Sequence, residues 1–430
     1  MKDKIKNSLW MISEKIIGIF GLIFVTSFVA KYVGPEIFGI MSISMLVFQF
    51  IQSVSIMGSD VILLKRISRN RNSGIKLMLS TFFLVLTTYL ILSIIGMVVM
   101  KEHMTSDALV FIFAAAIACL FSAIDLVNVY NEATLNARLN VIANVTGLLI
   151  SLSCRYIISY LELDPQYLSI PIVLVTAVPF LIKTIWFMLR HGETSVPGAK
   201  HVKKYSRYMM ASGGTLIFSI IAVSLYTRFN QISVSYFLGV KEAGIFSVAL
   251  TLSTAWTFLP YALLASFYPS FFSEKDPEKT IIRIQRLHLM VLGVSAIIIL
   301  SIHLLAGPFI NYFYGPAYLD AVKPTLYLSF GAMFAIFSSI MDRFIIKYNG
   351  YRFLVKKTFF VLVICLVSSA LFVPLFGLNG AALSVIITEF CSFSVLNYFF
   401  SAQPVITIHK VFINPKKLWL LFYDFKHSRE

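Results

Sequence analysis

A small set of charged and polar residues interrupts the long apolar stretches of this 430-residue chain. Glu389 lies near the middle of one stretch and Asp125 lies inside another. A charge at mid-bilayer costs roughly 2.5–3.5 kcal/mol on insertion scales, so an ionisable residue there is a functional candidate by default. A carboxyl at that depth can exchange a proton, bind a sodium ion or hydrogen-bond a ligand's hydroxyls; kept neutral, it can instead pin two helices together. Glu389 and Asp125 are therefore the ion-coupling candidates. Ser122, Asp125, Asn128 and Glu132 recur at helical spacing and share a face, as expected of a helix looking into a polar cavity. The other reading puts Glu132 and part of that stripe beyond the membrane edge. A second stripe, Tyr208, Ser212, Thr215, Ser219 and Tyr226, ends at Asn230; it serves either cavity lining or close helix packing. The remaining charges are Glu14, Lys15, Arg155, Lys183 and Arg228. Each cation stands within about two turns of the end of a stretch, so its long side chain can snorkel to the headgroups. Turned inward, Arg or Lys would bind phosphate, with Arg155 and Lys183 the foremost candidates. His288 and His303 could titrate near neutral pH, with ordinary polar packing the expected role.

No catalytic constellation accompanies these residues. The sequence contains no GxxxxGK[ST], no HExxH and no nucleophile elbow, so no ATP site, metal site or hydrolytic centre is expected. The four cysteines, Cys119, Cys154, Cys365 and Cys391, lie inside apolar stretches without metal-ligand spacing and read as small apolar residues. The expectation is a protein that is not an enzyme and carries no cofactor beyond a coupling proton or sodium ion.

Composition says what must position these groups. The chain is 58% hydrophobic and 13% charged, with a mean hydropathy of +0.84. Soluble domains run at about 45–50% apolar and about 25% charged. A bilayer removes the difficulty of burying the excess. Only helices and closed barrels satisfy every backbone group in hydrocarbon. Barrel strands would alternate over about 10 residues, whereas these apolar runs continue for the roughly 20 that a spanning helix needs. The net charge of +16 sits in short loops between apolar runs, which marks membrane orientation and argues against a nucleic-acid face. Lys2, Lys4 and Lys6 resemble the start of a signal peptide, but Glu14 and Lys15 interrupt the apolar stretch after them. The first span is therefore expected to be a retained helix.

Twelve spans are expected, roughly at 9–30, 36–58, 76–99, 108–130, 141–160, 170–190, 208–228, 241–264, 287–306, 324–343, 354–375 and 378–400. With both termini in the cytoplasm, 28 Lys and Arg fall in cytoplasmic segments. Only five, Lys31, Lys101, Arg228, Lys241 and Lys323, fall outside, and this bias fixes the orientation. Residues 29–44 and 234–249 form an internal repeat with five identities in sixteen positions, Gly34/Gly239 and Gly39/Gly244 among them. Six helices separate the copies, so the halves share one orientation, a transporter arrangement. The expected organisation is an all-α integral membrane protein of two parallel six-helix lobes, 1–192 and 208–403. A cytoplasmic linker at 193–207 joins them, and a basic tail occupies 404–430. The tail stretch Pro415 to Phe425 reads either as an interfacial helix or as a disordered basic tail.

Four stretches carry a family resemblance. "VAKYVGPEIFG" at 29–39 resembles the loop after the first helix of Wzx-type O-antigen flippases and related polysaccharide exporters of the multidrug/oligosaccharidyl-lipid/polysaccharide superfamily. "RFNQISVSYFLGVKEAGIFSVA" at 228–249, "FINYFYGPAYLDAV" at 309–322 and "VPLFGLNGAALSVIITEF" at 373–390 resemble later family segments, in order and correctly spaced. The resemblance covers about residues 5–400. It departs at Asn230, where relatives often carry an acid. It implies a bacterial inner-membrane flippase for an undecaprenyl-diphosphate-linked O-antigen or capsular repeat unit, working by alternating access. The implied partners are that lipid-linked glycan, membrane lipids, a polysaccharide polymerase and a chain-length regulator, with the flippase itself a monomer. A multidrug antiporter of the same superfamily is the first alternative. A membrane polymerase or ligase is the second, and it would need a larger external loop than the about 17 residues at 307–323.

Overall fold

The computed structural model describes the backbone of residues 2–103, 108–191, 199–401 and 405–409. The side chains of Glu14, Lys15, Tyr208, Ser212, Thr215 and Ser219 lie outside the described residues, as does the tail stretch 415–425. The described chain is helical almost throughout. In order it forms α1 (Lys2–Ile56), α2 (Ser59–Arg69), α3 (Arg71–His103), α4 (Leu109–Ile124), α5 (Leu126–Ala133), α6 (Ala137–Tyr160) and α7 (Ser169–His191). It continues through α8 (Ala199–Leu238), α9 (Val240–Thr254), α10 (Phe258–Ser273), α11 (Pro277–Phe313), α12 (Val322–Lys347), α13 (Tyr351–Phe393) and the short α14 (Val405–His409). Among the described residues, nine helical stretches are long and apolar enough to cross a membrane. The all-α membrane class expected from composition is the observed one. Helix α8 begins at Ala199, so part of the segment expected as a linker is helical.

Two of the long helices, α1 and α13, carry a break inside them. A straight helix of the 55 residues of α1 would run about 80 Å, against a hydrocarbon core of about 30 Å. The chain breaks at Gly34, with φ 75° and ψ 172°, and Pro35 comes next. Glycine takes that backbone conformation without steric cost, and proline has no N–H to continue the ladder. In α13 the break comes at Gly377, with φ 60° and ψ −137°, after Pro374. Both breaks fall where one expected span ends and the next begins.

The described chain divides into two compact units. Unit 1 comprises Met1–Arg228 together with Val240–Gly244, and unit 2 comprises Phe229–Gly239 with Ile245–Glu430. In unit 1, Val29 and Met41 stand on either side of the Gly34 break. Both are buried with Phe111 and Ala118 of α4, Ile158 of α6 and Ile172 of α7. A second cluster joins Leu63 and Ile67 of α2 to Met78 of α3, Tyr130 of α5, Phe187 of α7 and Met209 of α8. Lys65, Arg66 and Arg69 leave α2 on its exposed side, the pattern of a helix lying in a membrane interface. The core of unit 2 runs from Trp256 through α10, α11, α12 and α13 to Ile408 of α14. His288 is buried there, with Nδ1 2.9 Å from the Ile284 carbonyl oxygen and its ring against Phe337 and Phe393. That is the packing role expected of it.

The repeat leaves a physical trace inside unit 1. A Cβ on Gly39 would overlap the carbonyl oxygen of Val240, and a Cβ on Gly244 would overlap that of Pro35. These two glycines are matched positions of the repeat, and each lets the other's backbone approach. Gly39→Ala and Gly244→Ala are each expected to lower the melting temperature of the purified protein, by about 1–3 kcal/mol of overpacking. Gly293→Ala is the control, because a Cβ there meets nothing within 4 Å. Equal melting of all three variants would sink the close-approach account.

Candidate functional site

The polar centre of unit 1 begins with a broken helix. Between α4 and α5 the backbone at Asp125 turns to φ −76° and ψ 60°. The carboxylate of Asp125 pairs with Lys183 of α7, whose side chain is only 2% exposed. Amides complete the lysine's surroundings: its Nζ donates to Asn144 Oδ1 at 3.2 Å and to Asn128 Oδ1 at 3.4 Å. Asn140 Nδ2 donates to the carbonyl oxygen of Asn128 at 2.9 Å, and Asn131 Nδ2 donates to Asn140 Oδ1 at 2.8 Å. Local packing explains why α6 and α7 meet here. Gly147 of α6 faces the ring of Pro179 of α7, and a Cβ on Gly147 would reach Pro179 Cδ at 2.5 Å. One turn from that contact on each helix stand Asn144 and Lys183, held together by the close approach.

Unit 2 contains a second lysine–aspartate pair. Lys357 of α13 is 4% exposed, and its Nζ lies 2.6 Å from Asp342 Oδ1 of α12. It also donates to Ser338 Oγ at 3.2 Å, and Ser338 shares a 2.7 Å hydrogen bond with Ser392. Glu389, one turn before Ser392, stands within electrostatic reach of both Lys357 and Asp342. Tyr261 of α10 is within reach of the same two carboxylates. Unit 2 therefore places a second acid, Glu389, within electrostatic reach of its lysine–aspartate pair.

Asp125, Asn128 and Lys183, which the sequence presents separately, form one cluster. Lys183 does not snorkel; its amine is buried against an acid. The helical stripe of Ser122, Asp125, Asn128 and Glu132 is interrupted at Asp125. Ser122 accepts from Gln52 Nε2 at 2.8 Å, and Asn128 Nδ2 donates to Glu132 Oε1 at 2.9 Å. Arg155 and Arg228 form no ion pair among the described residues. Arg155 Nε is buried without a hydrogen-bond partner, and Arg228 Nη1 donates to the Ser224 carbonyl at 3.3 Å. Asn230 is buried in a neutral cluster of unit 2, accepting from Ser369 Oγ at 3.2 Å and facing Cys365 Sγ at 3.5 Å. Lys357, counted in the sequence among the loop cations after the tenth span, is a buried residue. Asn140, Asn144 and Asp342 are not among the residues that sequence reasoning singles out. Asn140, Asn144 and Gly147 recur at i, i+4 and i+7, and that shared face is the available signal.

Known proteins share this architecture. The family model for polysaccharide biosynthesis proteins matches residues 5–275. No curated protein matches the chain in sequence. The lipid II flippase MurJ, in an inward closed conformation, is 15% identical; the match covers 98% of this chain and 93% of that one, with a TM-score of 0.71. A multidrug resistance MATE family transporter of the MOP superfamily, inward-facing, is 14% identical over 92% of this chain and 99% of its own, with a TM-score of 0.68. A MOP superfamily transporter from Pyrococcus furiosus gives 14% identity, 94% and 96% coverage and a TM-score of 0.59. At such identities the likeness establishes the fold, that of MOP superfamily transporters.

The buried pair of unit 1 makes a stability prediction. Removing one partner of a buried ion pair costs about 3–5 kcal/mol, because the other charge is left uncompensated. Asp125→Asn and Lys183→Met are each expected to destabilise the protein on that scale. The double variant is expected to recover most of the loss. Thermal unfolding of the three proteins in one detergent checks this; strictly additive losses would mean that the two side chains do not interact.

Proposed function

This chain belongs to the polysaccharide biosynthesis protein family, and on that premise we propose that it is a flippase for an undecaprenyl-diphosphate-linked oligosaccharide. It moves the repeat unit from the cytoplasmic to the outer leaflet of a bacterial inner membrane, with its basic loops on the cytoplasmic side. The family match over residues 5–275 is the observation that carries the reading. The chemistry of unit 1 agrees with it. A glycan headgroup cannot cross hydrocarbon unaided and needs polar partners at membrane depth. A cluster of Asn128, Asn131, Asn140 and Asn144 around Lys183 supplies amides, which exchange hydrogen bonds with hydroxyls in both directions. The prenyl chain can stay in an apolar surrounding while the headgroup moves, and alternating access completes the crossing.

Coupling to a proton or sodium ion falls to Glu389 in this reading. Asp125 and Asp342 each have a lysine as counter-charge, and Glu389 is a further carboxyl within electrostatic reach of the second pair. A polysaccharide polymerase and a chain-length regulator would act on the delivered unit. A second reading, a multidrug antiporter, draws on the fold shared with MATE transporters.

A deletion strain of the native host, complemented from a plasmid and scored for surface polysaccharide by gel, tests the proposal. The expected result is loss of polysaccharide, accumulation of lipid-linked units on the inner leaflet, and restoration by the wild-type gene. Lys183→Ala, Asp125→Asn, Arg155→Ala and Glu389→Gln are each expected to lower export about tenfold or more, equivalent to about 1.4 kcal/mol at the rate-limiting barrier. Unchanged polysaccharide with increased drug sensitivity would instead establish the antiporter. Single units reaching the surface without chain growth would make the protein a polymerase.

A further inference from the structure

Unit 1 holds a cavity of about 480 Å³ that the asparagine–lysine network does not use. It is of a size ordinary for a ligand pocket. Four helices form it: α3 through Met78, Phe82 and Phe83, α4 through Ile124, α5 through Leu126, and α7 through Phe187 and Met188. Thr184 and His191 are the two polar side chains in its lining. At its rim Phe83 is 44% exposed and Met188 63% exposed, so the cavity opens sideways on the apolar surface that meets lipid. Its inner wall is shared with the buried ion pair. Ile124 and Leu126 flank Asp125, and Thr184 is the residue after Lys183; all three line the cavity.

One end of the cavity is cationic. His191 lines it, with Nδ1 3.3 Å from the Phe187 carbonyl oxygen and Nε2 3.0 Å from Arg71 Nη2. The guanidinium of Arg71 lies 5.3 Å from the ring centroid of Tyr130, and that of Arg190 lies 5.2 Å from the ring centroid of Trp186. Aromatic rings hold both groups in place. Each planar fork keeps further N–H donors that match a phosphate. Both arginines are exposed, at the end of unit 1 where the basic face of α2 also lies.

We propose that this cavity takes part of the hydrocarbon chain of a prenyl phosphate lipid, with Arg71 and Arg190, beside His191 at its mouth, holding the phosphate. The identity of the lipid rests on the flippase reading; the apolar cavity with a cationic mouth does not. A methyl-branched, unsaturated chain suits a broad pocket walled by Phe82, Phe83 and Phe187. The shared wall explains the arrangement: a lipid seated here has its chain beside, and its headgroup close to, the helices that carry the polar network.

Full-length protein in phosphatidylcholine nanodiscs would be irradiated with diazirine-tagged undecaprenyl phosphate, and the labelled peptides sequenced by mass spectrometry. Labelling is expected within 78–83, 124–127 and 180–191. Unlabelled undecaprenyl phosphate is expected to compete, and phosphatidylglycerol at the same concentration is not. Leu126→Trp, which fills the cavity, is expected to abolish labelling. Arg71→Gln with Arg190→Gln is expected to weaken it about tenfold or more, the loss of a charge-assisted hydrogen bond. Wild-type protein carries the test even where Leu126→Trp does not fold. Labelling confined to other segments overturns the proposal, and so does equal competition by phosphatidylglycerol, which would make the cavity an ordinary phospholipid seat. Expected labelling in a protein whose deletion leaves export intact removes the flippase reading and keeps the site. Lost export without labelling here does the reverse.

Discussion

A lysine amine buried at membrane depth must have its counter-charge within reach, and this requirement shapes both units. An unpaired ammonium in hydrocarbon would cost far more than any single helix contact returns. Lys183 is therefore tied to Asp125, and Lys357 to Asp342. Several local features of unit 1 serve that tie. The helix breaks at Asp125, α6 turns an asparagine face toward the lysine, and Gly147 admits Pro179 so that α6 and α7 can meet. Each feature would be a defect in a helix considered alone. Together they leave the buried cation with three oxygen partners from three side chains.

The same solvent imposes the second constraint. Hydrocarbon offers no hydrogen bonds, so the backbone stays helical until it can turn, and it turns where a residue tolerates the geometry. Gly34 and Gly377 adopt positive φ angles that other residues rarely take. Both have a proline close by, so the break is written twice into each segment. Gly39 and Gly244 act differently. Their conformations are ordinary, and their contribution is the absence of a side chain where two backbones approach.

Much of this was legible in the sequence, and the remainder was hidden for identifiable reasons. Apolar run length marks the helices, because a spanning segment is long and nearly uninterrupted. The breaks at Gly34 and Gly377 fall between expected spans, because Gly and Pro punctuate backbone whatever surrounds them. Asp125 and Lys183 stand out as charges in apolar runs, but their pairing does not, because 58 residues separate them and periodicity carries no information between helices. Lys357 reads as a loop cation because it comes directly after Lys356 and lies near Arg352 and Lys347. Composition cannot tell which of several neighbouring lysines turns inward. Asn140 and Asn144 escape notice because a neutral amide disturbs hydropathy less than a charge does. Yet at membrane depth a shared amide face is nearly as informative, since each amide requires partners.

The two units differ in chemistry, and the difference matches the division of labour proposed for them. Unit 1 sets Lys183 against Asp125 among amides, which hydrogen-bond equally well as donors and acceptors. That setting suits a neutral, hydroxyl-rich group, and it gains nothing from a change of ionic conditions. In unit 2, Lys357 contacts Asp342 and the Ser338 hydroxyl, and a second carboxyl, Glu389, stands within electrostatic reach of that pair. A second carboxyl is satisfied by a cation or a proton drawn from water, so its charge state depends on the composition of the solution. The diphosphate of the proposed substrate would be repelled by that carboxyl when it is ionised and tolerated when it is neutralised. Under the proposed function, Glu389 is the group that would link an ion gradient to the transport of an anionic headgroup, through the charge it carries.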